Sequence, residues 1–174
     1  VLQFGSLDGL YCRYGFHFGP DWSITGGIDT GLSQMSRTSA LHSEPGIVWN
    51  FPIDIKFKST NVFGWPRIAI SVYGADFLGR DVVRGYGSCL VPLVPGTHTV
   101  DVEMYTPMAS SFLNNLASWF WGNPPEVRRF FDSKFICQND GREVTRVQST
   151  GVVRVKFNIR TRGLTASSVF FSRP

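Results

Sequence analysis

The chain has 174 residues, of which 43% are apolar and 17% are charged, and it contains 18 glycines and 10 prolines. This length is enough for one sizeable hydrophobic core, and the many turn-forming residues favour an all-β architecture over a helical bundle. The formal charge of +4 is too small and too dispersed to indicate a nucleic-acid partner.

Alternating apolar and polar residues from Leu10 to Phe18 predict a half-buried strand. Residues 19–46 have no periodicity and are rich in Gly, Ser and Thr, so we expect a long loop or a series of turns there. A second strand is predicted from Ile47 to Phe57. Pro52 inside it indicates an edge position or a bulge, because proline cannot donate a hydrogen bond to a neighbouring strand.

Four more segments with one apolar face are predicted to be strands, at residues 68–72, 82–92, 97–104 and 153–159. Gly85 and Gly87 are expected to make the strand at residues 82–92 less regular. One-sided strands need a second layer to cover their apolar faces, so the sequence predicts an antiparallel β-sandwich. We expect a single domain over residues 1–174.

The periodicity becomes helical near residues 110–121, which predicts one short helical insertion in the sandwich. The apolar stripe consists of Phe112, Leu113, Leu116, Trp119 and Phe120. Trp121 lies about half a turn from the centre of that stripe, so we expect it to face solvent or a partner. The alternative is that Trp121 folds back onto the following Pro-Pro segment or onto Phe130 and Phe131.

The three cysteines, Cys12, Cys89 and Cys137, are odd in number and widely spaced. They fit neither a disulfide framework nor a zinc motif, which indicates a reducing, intracellular setting. No apolar run approaches the roughly 18 to 20 residues of a membrane-spanning helix, and no leader is recognisable. Because Val1 is not an initiator Met, we expect the natural chain to start upstream.

The stretch from Val48 to Gly87 has the layout of a C2-type sandwich, with a loop that carries Asp76 and Asp81. A calcium site needs about six to eight oxygen ligands. Gly74 stands where calcium-binding C2 domains carry an aspartate, and Arg80 places positive charge beside Asp81. We therefore expect these carboxylates to accept turn hydrogen bonds or to pair with arginines, and we predict no metal site.

Catalytic patterns are absent from the sequence. The histidines, His17, His42 and His98, are scattered, and no nucleophile elbow, phosphate-binding loop or dinucleotide fingerprint occurs. The sequence thus predicts a binding module without enzymatic activity and without a cofactor.

Basic residues recur on the outer faces of two predicted strands. Arg154, Lys156 and Arg160 share one face, and Lys56 and Lys58 share another. If the two strands are neighbours, the five residues form a strip that can bind anionic phospholipid or phosphoinositide, as a peripheral membrane module would. The alternative is that they are ordinary solvated faces that prevent edge-to-edge pairing.

Several longer motifs resemble the B9 domain family. They are L-Y-C-R-Y (10–14), G-P-D-W (19–22), V-W-N-F-P-I-D-I-K-F-K-S-T-N (48–61), G-W-P (64–66), V-Y-G-A-D-F-L-G-R-D-V-V-R-G-Y-G (72–87) and G-R-E-V-T-R-V (141–147). The resemblance covers most of the chain. It implies a C2-like fold, and it implies that the opening strand is truncated here, because the family's first strand starts further upstream.

The resemblance also implies a function. B9 proteins are non-enzymatic scaffold subunits of the Meckel-syndrome (MKS) complex at the ciliary transition zone, where they support ciliogenesis and the ciliary diffusion barrier. The implied partners are other B9-domain proteins and tectonic-type membrane components. The implied location is cytoplasmic and cytoskeletal, at the ciliary base.

Large aromatic residues outside the apolar stripes are the candidates for protein interfaces, because such residues anchor many interfaces. We predict this role for Trp121, Phe130 and Phe131, with Trp22 as a weaker candidate.

Overall fold

The computed structural model describes residues 9–38, 46–76, 78–107, 137 and 147–163. These residues form eight β-strands in two antiparallel sheets. The strands are β1 (Leu10–His17), β2 (Trp22–Gly27), β3 (Thr30–Leu32), β4 (Ile55–Ser59), β5 (Arg67–Ala75), β6 (Asp81–Leu90), β7 (Gly96–Pro107) and β8 (Val147–Ile159). The predicted antiparallel, C2-like β-sandwich is confirmed.

The larger sheet has six strands in the order β3-β1-β5-β6-β7-β8, and β2 pairs with β4 in a separate sheet. Strand β5 lies inside the larger sheet, and its residues from Ile68 to Gly74 are all buried. A strand buried on both faces has apolar residues in succession, as I-A-I-S-V-Y does here. Strands β3 and β8 are the two ends of this sheet among the described strands.

Two buried clusters lie on opposite faces of the larger sheet. The main cluster collects alternate residues of β1, β5, β7 and β8, among them Leu10, Val72 and Met104. Gly87 leaves the room that Met104 fills, since a Cβ at Gly87 would lie 2.6 Å from the Met104 sulfur. The second cluster consists of Ala69, Tyr86 and Cys137.

Two sequence predictions for the first third of the chain are wrong. Residues 19–46 hold strands β2 and β3, where a long loop was expected. The strand predicted from Ile47 begins only at Ile55. Asn50 has a positive φ of 45°, which breaks the alternation together with Pro52, and Phe51 and Ile53 are exposed.

The strands predicted at the start of the chain and after residue 67 are confirmed, and β8 begins six residues before its predicted start. The helical insertion near residues 110–121 lies outside the described residues. Trp121, Phe130 and Phe131 do so as well.

Candidate interaction surfaces

The turn between β5 and β6 is held by the Asp76 carboxylate. Its Oδ1 accepts hydrogen bonds from the backbone N–H of Leu78, at 2.8 Å, and of Arg80, at 2.9 Å. The Arg80 guanidinium pairs with Oδ2, also at 2.9 Å. These contacts match the prediction for Asp76, and they satisfy both carboxylate oxygens within the turn.

Backbone donation from Arg80 and the guanidinium charge lower the pKa of Asp76 from its ordinary value of 3.8. A carboxyl whose pKa is lower in the folded state stabilises the fold above its unfolded pKa, and the stabilisation is lost as the pH falls through the folded pKa. We therefore expect wild-type stability to fall below about pH 4. An Asp76→Ala variant should lose less stability over the same pH range.

Chemical denaturation at about pH 7 and at about pH 3 measures this difference. The control is Asp29→Ala, which removes an exposed carboxylate that lies outside the turn. If both variants follow the wild-type pH dependence, the turn contributes nothing to acid sensitivity.

Asp81 is exposed and interacts with Tyr11, whereas the guanidinium of the neighbouring Arg80 pairs with Asp76. Burial and the nearby Asp81 carboxylate raise the pKa of Tyr11. Arg84 donates instead to the carbonyl of Ala75, at 2.8 Å. Across the described residues, no three His, Cys, Asp or Glu side chains are grouped so that they could bind a metal ion.

The five basic candidates lie on two different sheets. Lys56 and Lys58 are exposed on β4, which pairs with β2. Arg154 and Lys156 are exposed on β8, and Arg160 follows that strand. Because β4 and β8 do not pair, the condition for a continuous basic strip is not met.

Arg154 also has a strong local partner. Its Nε and Nη2 donate to the two oxygens of Asp101 on the neighbouring strand β7, at 2.7 and 2.9 Å. A bidentate pair of this kind neutralises much of the arginine charge at the surface. The outward orientation predicted for these basic residues is correct, but Arg154 is paired within the sheet.

Trp22 lies at the start of β2 within an aromatic junction, which consists of Phe16, Phe18, Trp22, Phe57 and Trp65. Phe57 packs edge-to-face against Phe16, Phe18 and Trp22, with ring centroids 5.4 to 6.3 Å apart. Trp22 also contacts Trp65 and donates its indole N–H to the carbonyl of Phe63. The junction joins the smaller sheet to β1, and Trp22 remains only partly exposed.

Two half-buried thiols and a histidine are further candidate reactive groups. Burial raises the pKa of Cys12 to about 12 and that of Cys89 to about 11. Both thiols are therefore protonated at neutral pH, which makes them poor nucleophiles. His98 forms a hydrogen bond with the carbonyl of Val94, at 2.8 Å.

An exposed apolar edge, formed by Ile28, Leu32 and Met35, was missed by the sequence analysis. These side chains are 68%, 58% and 57% exposed. They lie on or beside β3. After β3 the chain still runs beside β1, where the backbone groups of Leu10 and Ser36 exchange two hydrogen bonds. The signal in the sequence was weak, because polar residues and a glycine separate these apolar residues.

An apolar loop end was also missed, and its two most exposed side chains are Phe63 and Val94, at 75% and 64%. Phe63 lies between β4 and β5, and Val94 lies between β6 and β7. The signal was present in the runs V-F-G-W-P and V-P-L-V-P, which combine apolar residues with turn formers.

No helix in the described parts of the chain is long and apolar enough to cross a membrane. The two packed sheets and the arginine-closed turn define a C2-like β-sandwich module. Its most exposed apolar side chains lie on a sheet edge and in loops. This placement is typical of a module that binds other molecules.

Comparison with known proteins identifies the family. The family model described as "Ciliary basal body-associated, B9 protein" matches residues 2–160. The chain is 50% identical to B9 domain-containing protein 1 of Xenopus laevis over 162 residues, which cover 93% of this chain and 80% of the relative. No solved structure matches the chain.

The human B9 domain-containing protein 1 is 48% identical, over 93% of this chain and 78% of its own. The rat B9 domain-containing protein 2 is 34% identical, over 68% of this chain and 65% of its own. The chain therefore belongs to the B9 family of ciliary basal body-associated proteins, and it resembles these type 1 relatives more than the type 2 relative. The family's description names a place in the cell and no reaction.

Proposed function

We propose that this protein is a non-enzymatic structural subunit at the ciliary base that associates with other B9-domain proteins. The observation that carries the proposal is the B9 family match, which extends over residues 2–160. Within this assignment, the protein belongs to an MKS-type complex with tectonic-type membrane components and supports ciliogenesis and the ciliary diffusion barrier.

The exposed apolar edge is the surface that best suits association with another β-domain. Strand β3 has only three residues, and its outer side lies at the end of the larger sheet as far as the described strands show. An exposed sheet edge offers backbone groups for pairing with a strand of a partner, and adjacent apolar side chains add contact area. Asp29 and Arg37 supply one charge of each sign near Ile28, Leu32 and Met35.

Co-purification with a B9 domain-containing protein 2 tests this proposal. We expect the wild-type chain to elute with that partner in size-exclusion chromatography. Leu32→Asp should weaken the complex by at least about tenfold, because a charge would be placed among apolar contacts. Failure of the wild-type pair to form a complex would contradict the proposed partnership.

Phe63→Ser is the control, because it replaces an apolar side chain that is even more exposed than Leu32 and lies at another surface. This variant should retain the partner. If Phe63→Ser loses the partner and Leu32→Asp retains it, the edge is not the contact surface.

Trp121→Ala tests the aromatic candidates. If Trp121 contacts a partner, as we propose, the change weakens co-purification without lowering the melting temperature. The same holds for Phe130 and Phe131. At Trp22, the change should weaken co-purification and also lower the melting temperature, because the ring packs on Phe57 and Trp65. An equal loss of folding would assign the substituted side chain to the core.

A further inference from the structure

Four segments meet at one end of the sandwich because of the strand pairing. His17 at the end of β1 pairs with Arg67 at the start of β5, and Arg67 also pairs with Leu90 at the end of β6. Gly96 at the start of β7 pairs with Ile159 at the end of β8. The chain segments at residues 18–21, 60–66, 91–95 and 160–163 are therefore neighbours, and they form the apolar loop end.

The two apolar loops are fixed to each other by hydrogen bonds. The indole N–H of Trp65 donates to the carbonyl of Val91, at 2.9 Å, and the N–H of Val91 donates to the carbonyl of Pro66, at 3.0 Å. Half-buried Trp65 thus lies on the inner side of the two loops and holds them together. Phe63 and Val94 project from this support into solvent.

Charge around these apolar side chains is mainly positive. Within the four segments, Arg160 and Arg162 are exposed, and Asp21 is the one acidic residue. The Asp21 carboxylate accepts a hydrogen bond from the side-chain amide of Asn61, at 3.3 Å. Lys58 is exposed near the end of β4 on the same side.

We propose that this loop end inserts Phe63 and Val94 into the surface of an anionic lipid bilayer, while Arg160 and Arg162 contact the headgroups. Apolar side chains gain free energy when they leave water for the boundary of the acyl chains, and adjacent cations are attracted to the negative leaflet. Loop tips that project from a rigid support suit a fluid bilayer, which needs no complementary shape.

This surface shares no residue with the one proposed for protein association. The exposed apolar edge lies along β1, whereas the loop end lies beyond the ends of β1, β4 and β6. One molecule can therefore contact a bilayer and a partner at the same time. The membrane proposal does not depend on the identity of that partner.

Vesicle sedimentation tests the proposal with two compositions, phosphatidylcholine alone and phosphatidylcholine with phosphatidylserine. We expect the wild-type chain to bind the anionic vesicles and not the neutral ones, both with and without EDTA. Raising the salt concentration should weaken binding, because the arginine contribution is screened. Absence of binding to the anionic vesicles would overturn the proposal.

Substitutions locate the contact. Phe63→Ser and Val94→Ser should each weaken binding by about tenfold, because each removes one inserted apolar group. Joint Arg160→Glu and Arg162→Glu should weaken it further on anionic vesicles. Melting temperatures of these variants should stay near that of the wild type, since the substituted side chains are exposed.

Leu32→Ser is the matched control, because it removes a comparable exposed apolar side chain from the edge. This variant should bind vesicles as the wild type does. If it weakens binding as much as Phe63→Ser, or if Phe63→Ser binds normally, the assignment to the loop end is wrong. Loss of protein co-purification in Phe63→Ser, with unchanged vesicle binding, would assign the loop end to a protein partner instead.

Discussion

Replacing Gly64 with alanine should lower the free energy of unfolding by about 3 kcal/mol. Gly64 has a φ of +69°, which costs an L-residue about 1 kcal/mol. A Cβ at this position would also lie 2.4 Å from the Cα and 2.7 Å from the nitrogen of Gly19. These are backbone atoms, so they cannot move aside as a flexible side chain can.

The backbone contact between Gly19 and Gly64 explains the size of the expected effect. The N–H of Gly19 donates to the carbonyl of Gly64, at 2.8 Å, and this bond joins the loop after β1 to the loop after β4. Thermal unfolding should show a decrease in Tm of about 6 to 12 °C for a chain of this size.

Gly79→Ala separates backbone strain from steric conflict. Gly79 has a similar φ of +75°, but no atom lies within 4 Å of a Cβ built there. This control should lose only about 1 kcal/mol. Equal losses of stability in the two variants would show that the close approach of Gly19 adds nothing to the cost of a side chain at position 64.

Tyr86→Ala should lower the free energy of unfolding by about 4 kcal/mol, because it leaves a large cavity in a closed part of the fold. The side chain of Tyr86 is fully buried, and it packs with Ala69 and Cys137 on the second face of the larger sheet. Burial also raises the pKa of its hydroxyl.

Urea denaturation measures this loss, and an unchanged m-value would show that the variant still unfolds as one unit. Tyr86→Phe keeps the ring and should lose less, since the cavity is then much smaller. Leu32→Ala, on the exposed edge, should change stability by less than about 0.5 kcal/mol. A Tyr86→Ala loss below about 1 kcal/mol would contradict the closed packing of this face.

Strands could be predicted from the sequence where the alternation of apolar and polar residues is regular. The prediction failed where a strand depends on pairing with residues distant in sequence. The apolar rows of β1, β5 and β7 gave correct strands, because each buries alternate side chains against the core. Strand β2 reads W-S-I-T-G-G and depends on its pairing with β4. The pattern from Ile47 to Ile53 looked periodic, but a left-handed residue and a proline interrupt the strand there.

The candidate surfaces were harder to predict, because they depend on which strands are neighbours. Alternation correctly placed Lys56 and Arg154 on outer faces, yet it could not show that their strands lie in different sheets. Nor could it show that Asp101 lies opposite Arg154. The loop end required the strand pairings, which bring Phe63 and Val94 to the same end from positions 31 residues apart in sequence.

The turn at Asp76 has a consequence for how the protein responds to its ionic surroundings. Arg80 acts as a counterion that is covalently tethered, so it is always present at the carboxylate whatever cations are dissolved nearby. The conformation of this turn should therefore stay constant during transient calcium signals. In this respect the turn differs from a loop that changes conformation when it binds calcium.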